Sequence, residues 1–77
     1  FNPSTKISYQ LPEVSNVTLK ILNILGEDVV TLVNNEYQHA GTHSSLFIVN
    51  STLPSGVYFY QLKAGSFVEI KKMILIK

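Results

Sequence analysis

Apolar and polar residues alternate along this chain in runs of about five to eight residues, and turn-forming residues close each run about every 8–12 residues. Between Thr5 and Leu11, the apolar Ile7, Tyr9 and Leu11 alternate with Lys6, Ser8 and Gln10, and Pro12 closes the run. Val17, Leu19 and Ile21 alternate in the same way with Thr18 and Lys20. A side-chain period of two belongs to a strand with one face on a core and the other in water. The next residues, Asn23-Ile24-Leu25-Gly26, read as a turn or bulge. Glu27–Val33 could carry a helical stripe through Val29, Val30, Leu32 and Val33, but its shortness and β-branching favour a strand. Asn34–Gly41 is polar, ends in glycine and reads as a loop, and Thr42–Val49 reads as a fourth strand.

The second half repeats the pattern. Leu53-Pro54-Ser55-Gly56 fits a turn with proline second and glycine fourth. Val57–Lys63 follows as a strand with Tyr58, Tyr60 and Leu62 on one face and Val57, Phe59 and Gln61 on the other. Ala64-Gly65-Ser66 is a tight reversal, and Phe67–Lys77 is a last strand long enough to bend or split near Lys71-Lys72. Six or seven short strands at this spacing predict an all-β antiparallel sandwich or small barrel. With 77 residues, one domain over 1–77 with a thin core is expected. An apolar content of 45% and a mean hydropathy of +0.20 argue for folding over disorder.

Composition removes several function classes. The net charge is +1 and arginine is absent, so neither a global field nor a bidentate phosphate reader draws nucleic acid. Without cysteine there are no disulfides and no thiolate metal sites. No apolar run approaches the ~20 residues of a membrane span, and nothing resembles a signal peptide. The chain opens on Phe1 rather than Met, which predicts a piece of a longer polypeptide. His39 and His43 flank Ala40-Gly41 and read as surface-loop histidines, with Glu36 as their only nearby acid, too few for zinc. Glu27 and Asp28 are adjacent at a strand start and Glu13, Glu36 and Glu69 are scattered over turns and solvent faces, so no convergent carboxylate pair is expected. There is no nucleophile elbow and no phosphate loop. Tyr9, Tyr58 and Tyr60 share faces with Ile or Leu and read as core, not as a sugar platform. Asn16-Val17-Thr18 and Asn50-Ser51-Thr52 match the weak glycosylation acceptor pattern. No enzyme activity, cofactor or metal is expected.

The final strand is the unusual one. Phe67, Val68, Ile70, Met73, Ile74, Leu75 and Ile76 make it apolar on both faces, as in a strand buried at the centre of a sheet. Yet four of the six lysines, Lys63, Lys71, Lys72 and Lys77, lie in the last fifteen residues against one acid, Glu69. Either the lysines snorkel out of a core strand, or a partner reads the basic end.

"FNPSTKISYQLP", "ILNILGEDVVTLV", "HAGTH" and "LPSGVYFYQLKAG…KKMILIK" follow one another in an order and spacing that resembles the C-terminal sorting domain of the type IX, or Por, secretion system of Bacteroidetes-type bacteria. The resemblance covers essentially the whole chain. It implies an immunoglobulin-like antiparallel β-sandwich of about seven short strands at the end of a larger cargo. It implies a non-catalytic domain that addresses this cargo through the outer membrane to the cell surface or the medium. The implied partners are the outer-membrane translocon, sortase-like components and the upstream cargo domain. Among the matching positions, Lys71, Lys72 and Lys77 are the candidates for partner recognition. Gly26, Gly41, Gly56, Tyr58 and Gly65 are candidates for a structural motif. "LFIVNST" departs from the family's pattern, with Ile48 and Val49 where polar residues are usual. A generic immunoglobulin-like accessory or carbohydrate-binding module is the alternative, as is a hook-capping-type assembly domain, which shares "FNPST" and the Leu-Gly turn.

Overall fold

The computed structural model describes residues 4–49 and 53–76. Among them are six strands: β1 (Ser4–Leu11), β2 (Ser15–Leu22), β3 (Asp28–Gln38), β4 (Gly41–Ile48), β5 (Gly56–Ala64) and β6 (Phe67–Leu75). They form two antiparallel sheets, β1-β4 and β3-β2-β5-β6, packed as a sandwich. Asn50–Thr52, with the second glycosylation acceptor, and Lys77 lie outside the described residues.

The period of two builds the core. Ile7, Tyr9 and Leu11 from β1 and Val17, Leu19 and Ile21 from β2 are all buried, meeting Val33, Phe47, Tyr58, Leu62, Ala64 and Leu75. β2 lies between β3 and β5, so its inward side chains are shielded on both flanks, and Val17, Leu19 and Ile21 are fully buried. Each such side chain contributes about 1.5–3 kcal/mol relative to exposure. The β2-β5 register sets Leu19 against Leu62 and Ile21 against Tyr60, which fixes the two central strands face to core.

The turn between β2 and β3 is stapled by Asn23. Its Oδ1 accepts from the Leu25 and Glu27 amides at 2.9 and 3.0 Å, and its carbonyl accepts from the Gly26 amide at 2.9 Å. Gly26 closes the turn at φ +82°, while a Cβ built there meets nothing within 4 Å. Conformation rather than space therefore selects glycine. Gly26→Ala is expected to lower unfolding free energy by about 1–2 kcal/mol, read by urea denaturation.

Two strands differ from the sequence reading. Asn34–Gln38, expected as loop, continues β3, with Asn16 paired to Tyr37 and Ser15 to Gln38. The alternation fails there because β3 is an outer strand broken by register shifts. Asn35 sits at φ +51°, with its amide donating to Thr18 Oγ1 at 3.1 Å. Such bulges leave side chains facing water on both sides, so polarity there marks an irregular edge rather than a loop. The last strand, expected to be central or buried, instead lies at the opposite edge of the four-stranded sheet. It neither bends away nor splits: its register with β5 runs unbroken from Phe67 opposite Ala64 to Leu75 opposite Gly56.

Candidate functional site

Alternation along β6 separates its two lysines. Leu75 is buried and Met73 packs on the core, so Lys71, Glu69 and Phe67 fall on that same face of the sheet. There Lys71 Nζ lies 3.6 Å from a Glu69 carboxylate oxygen, beside a groove bordered by Ser8, Tyr9, Gln10 and Thr42. Lys72 falls on the outer face, opposite Phe59, with Ile74 opposite Val57, Ile70 opposite Gln61 and Val68 opposite Lys63. On that face Val68, Ile70 and Ile74 are each about half exposed. The strand is apolar on both faces because it buries one and presents the other to water. Lys71 and Lys72 thus leave opposite faces of the sheet.

At the end of the sandwich where β5 begins lies a feature the sequence reading missed. Ile24 and Leu25, at the tip of the β2–β3 turn, are 74% and 80% exposed. With Val29, Leu53, Pro54 and Val57 they line an open apolar pocket of about 330 Å³, and Val57 is the neighbour of Ile74 across β5-β6. The signal was present as two consecutive large aliphatics inside a turn, where polar residues are usual.

Of the motif residues, Gly56 and Tyr58 lie at this end of the sandwich, whereas Gly41 and Gly65 lie at the other. The Tyr58 ring is buried, and its hydroxyl donates to the Pro54 carbonyl at 2.7 Å, tying β5 to the turn before it. Gly56 begins β5 at φ +151°, which residues with a Cβ rarely adopt, although open space surrounds the position. Gly41 begins β4 opposite Leu11, and the Gly65 amide in the β5–β6 turn donates to the Asn16 carbonyl at 3.3 Å.

The histidines do not converge on a site. His43 lies on β4, inside the strand read from Thr42 onward, and not in the loop that its place beside Ala40-Gly41 suggests. Its ring stacks on Tyr9 at a centroid distance of 5.7 Å, and its Nε2 is 2.7 Å from the His39 carbonyl. His39 meets Tyr37 edge-on at 6.3 Å. Among the described residues no three His, Cys, Asp or Glu side chains could hold a metal ion. The Tyr9 hydroxyl donates to Gln38 Oε1 at 2.6 Å, and burial, with the Glu36 carboxylate adding, pushes its phenol above the usual tyrosine range. The acids stay apart: Asp28 pairs with Lys20 at 3.2 Å on an exposed surface, while Glu27 accepts from Asn23 Nδ2 at 2.9 Å. An ion pair so exposed contributes about 0–1 kcal/mol. No helix among the described residues is long and apolar enough to cross a membrane.

A model of the secretion-system C-terminal sorting domain family matches residues 2–77. No curated protein and no solved structure matches the chain.

Proposed function

Since the chain belongs to the family of secretion-system C-terminal sorting domains, we propose that the outer face of β5-β6 is the address its export machinery reads. Domains of this family direct a larger cargo-bearing chain into type IX secretion, across the outer membrane to the cell surface or the medium. The family is non-catalytic in general, and we read this chain the same way, with residues 1–77 acting as one sorting unit. The partners proposed for the address are the outer-membrane translocon and a sortase-like component. The supporting observation is the outer face itself, where half-exposed Val68, Ile70 and Ile74 surround Lys72 on a strand that has no further neighbour among the described residues. Apolar contact supplies affinity there, and the single ammonium selects a partner with an acidic group. Lys71, turned to the other face and near Glu69, has the lesser part, and Lys77 is proposed as a further contact.

A deletion test confounds two effects. Removing Ile74 onward also removes Leu75, which is 1% exposed and part of the core. A surface charge reversal separates them. With the chain fused behind an inert reporter in a host carrying the secretion machinery, Lys72→Glu should cut reporter export by roughly tenfold or more, the cost of one lost charge contact. Lys72 is exposed, so thermal stability should stay unchanged. Export at the parental level by an equally stable Lys72→Glu fusion would refute this placement of the address.

A further inference from the structure

We propose that the free edge of β6 pairs antiparallel with β6 of a second copy, centred on Ile70, to form a continuous eight-stranded sheet. Among the described residues β6 has one neighbour, β5, so from Phe67 to Met73 its other side offers backbone groups to a further strand. The opposite edge, β3, is blunted by register shifts and by Asn35 at positive φ. β6 has none of these devices: it is nine residues long and contains no proline or glycine, and its register is unbroken. Its remaining protection is charge, and charge depends on register.

Two copies related by a twofold axis normal to the sheet oppose residues of the same face. Centring on Lys71 sets Lys71 against Lys71, centring on Lys72 sets Lys72 against Lys72, and centring on Glu69 opposes two carboxylates. Centring on Met73 sets Lys71 against Leu75, a core side chain. Centring on Ile70 avoids each of these conflicts. It places Glu69 of each copy opposite Lys71 of the other, Ile70 against Ile70, Val68 beneath the Lys72 stem, and Phe67 against Met73. The Glu69–Lys71 contact within one chain is long, at 3.6 Å, and solvent-exposed, so both groups can turn toward a partner strand. A pairing that spans Phe67–Met73 is small beside a standard interface, so the dimer is weak and reversible. It would also occupy the edge next to Lys72, making self-association and docking on the export machinery competitors.

Self-association is measured without any secretion component, so its outcome is separate from the export test. Sedimentation velocity on the full chain from about 10 μM to about 1 mM should show a reversible monomer–dimer equilibrium, as expected for a small interface. Glu69→Lys alone and Lys71→Glu alone should each weaken dimerisation by about tenfold, since two opposite-charge pairs become like-charge pairs. An equimolar mixture of these two variants should restore it. In the mixed dimer the two introduced side chains, of opposite sign, face each other, and the retained Lys71 of the first variant faces the retained Glu69 of the second. Circular dichroism of each variant checks that the sheet persists. A parental chain that is monomeric throughout, or folded variants whose mixture fails to dimerise, overturns the proposal.

Discussion

Tyr58→Ala is expected to cost the fold about 3–5 kcal/mol, the range for deleting a buried aromatic side chain. Tyr58 is 6% exposed, sits on the inner face of β5 with Leu62 and Ala64, and faces Met73 on β6. Truncation would open a cavity between the sheets and also leave the Pro54 carbonyl without its 2.7 Å donor. A chain of this size has a total stability of about 4–12 kcal/mol, from roughly 0.05–0.15 kcal/mol per residue. The loss is therefore a large fraction of the whole, and the variant should be partly unfolded at 37 °C. Tyr58→Phe keeps the ring and gives up only the hydroxyl bond, at about 0.5–1.5 kcal/mol. Urea titrations of the two variants separate packing from hydrogen bonding. A Tyr58→Ala variant within about 1 kcal/mol of the parent would place the ring outside the core, since that is the usual range of surface substitutions.

The burial of Tyr58 is legible because it shares one face of β5 with Leu62, two positions from a proline–glycine turn. The same holds for β1 and β2, whose inward residues all follow from the period of two. Legibility fails where a strand meets water on more than one side. At Asn34–Gln38 the bulged edge of β3 removes the apolar face that would announce a strand, although backbone pairing to β2 persists. His43 reads as a loop histidine because it flanks the Ala40-Gly41 turn signal, although the alternating run that starts at Thr42 already holds it in β4. In β6 the error runs the other way. Apolar residues on both faces imply two covered faces only if both covers belong to the same chain. Here the outer face has no second layer among the described residues, so hydrophobicity there speaks of surface and not of core.

That distinction also decides how the candidate site could be read. Lys71 and Lys72 are adjacent in sequence and form an obvious basic pair. Only the sheet register shows that one lies beside Glu69 at the rim of the core face while the other stands among Val68, Ile70 and Ile74. The apolar pocket under Ile24 and Leu25 depends on the β2–β3 turn approaching the segment Leu53–Val57, a contact between segments distant in sequence that no local pattern encodes.

The neighbouring pair Ile74 and Leu75 gives the sharpest test of whether the final strand is scaffold on one face and address on the other. Leu75 is 1% exposed and faces the core, so Leu75→Ala should cost about 2–5 kcal/mol. Ile74, one residue earlier and 51% exposed, points to the outer face beside Val57, so Ile74→Ala should cost no more than about 1 kcal/mol, the worth of a cross-strand pair. Because side chains alternate, a slip of one residue in the β5-β6 register would reverse the order of the two effects, which denaturant unfolding would detect at once. Export adds the second axis. Leu75→Ala should lose export in proportion to its loss of folded protein, and should regain it at lower temperature. Ile74→Ala should stay folded and still export less, because it removes part of the apolar surface around Lys72. Equal export by folded Ile74→Ala and the parent would confine recognition to other residues of that face, whereas equal destabilisation by both variants would mean that β6 is covered on both sides.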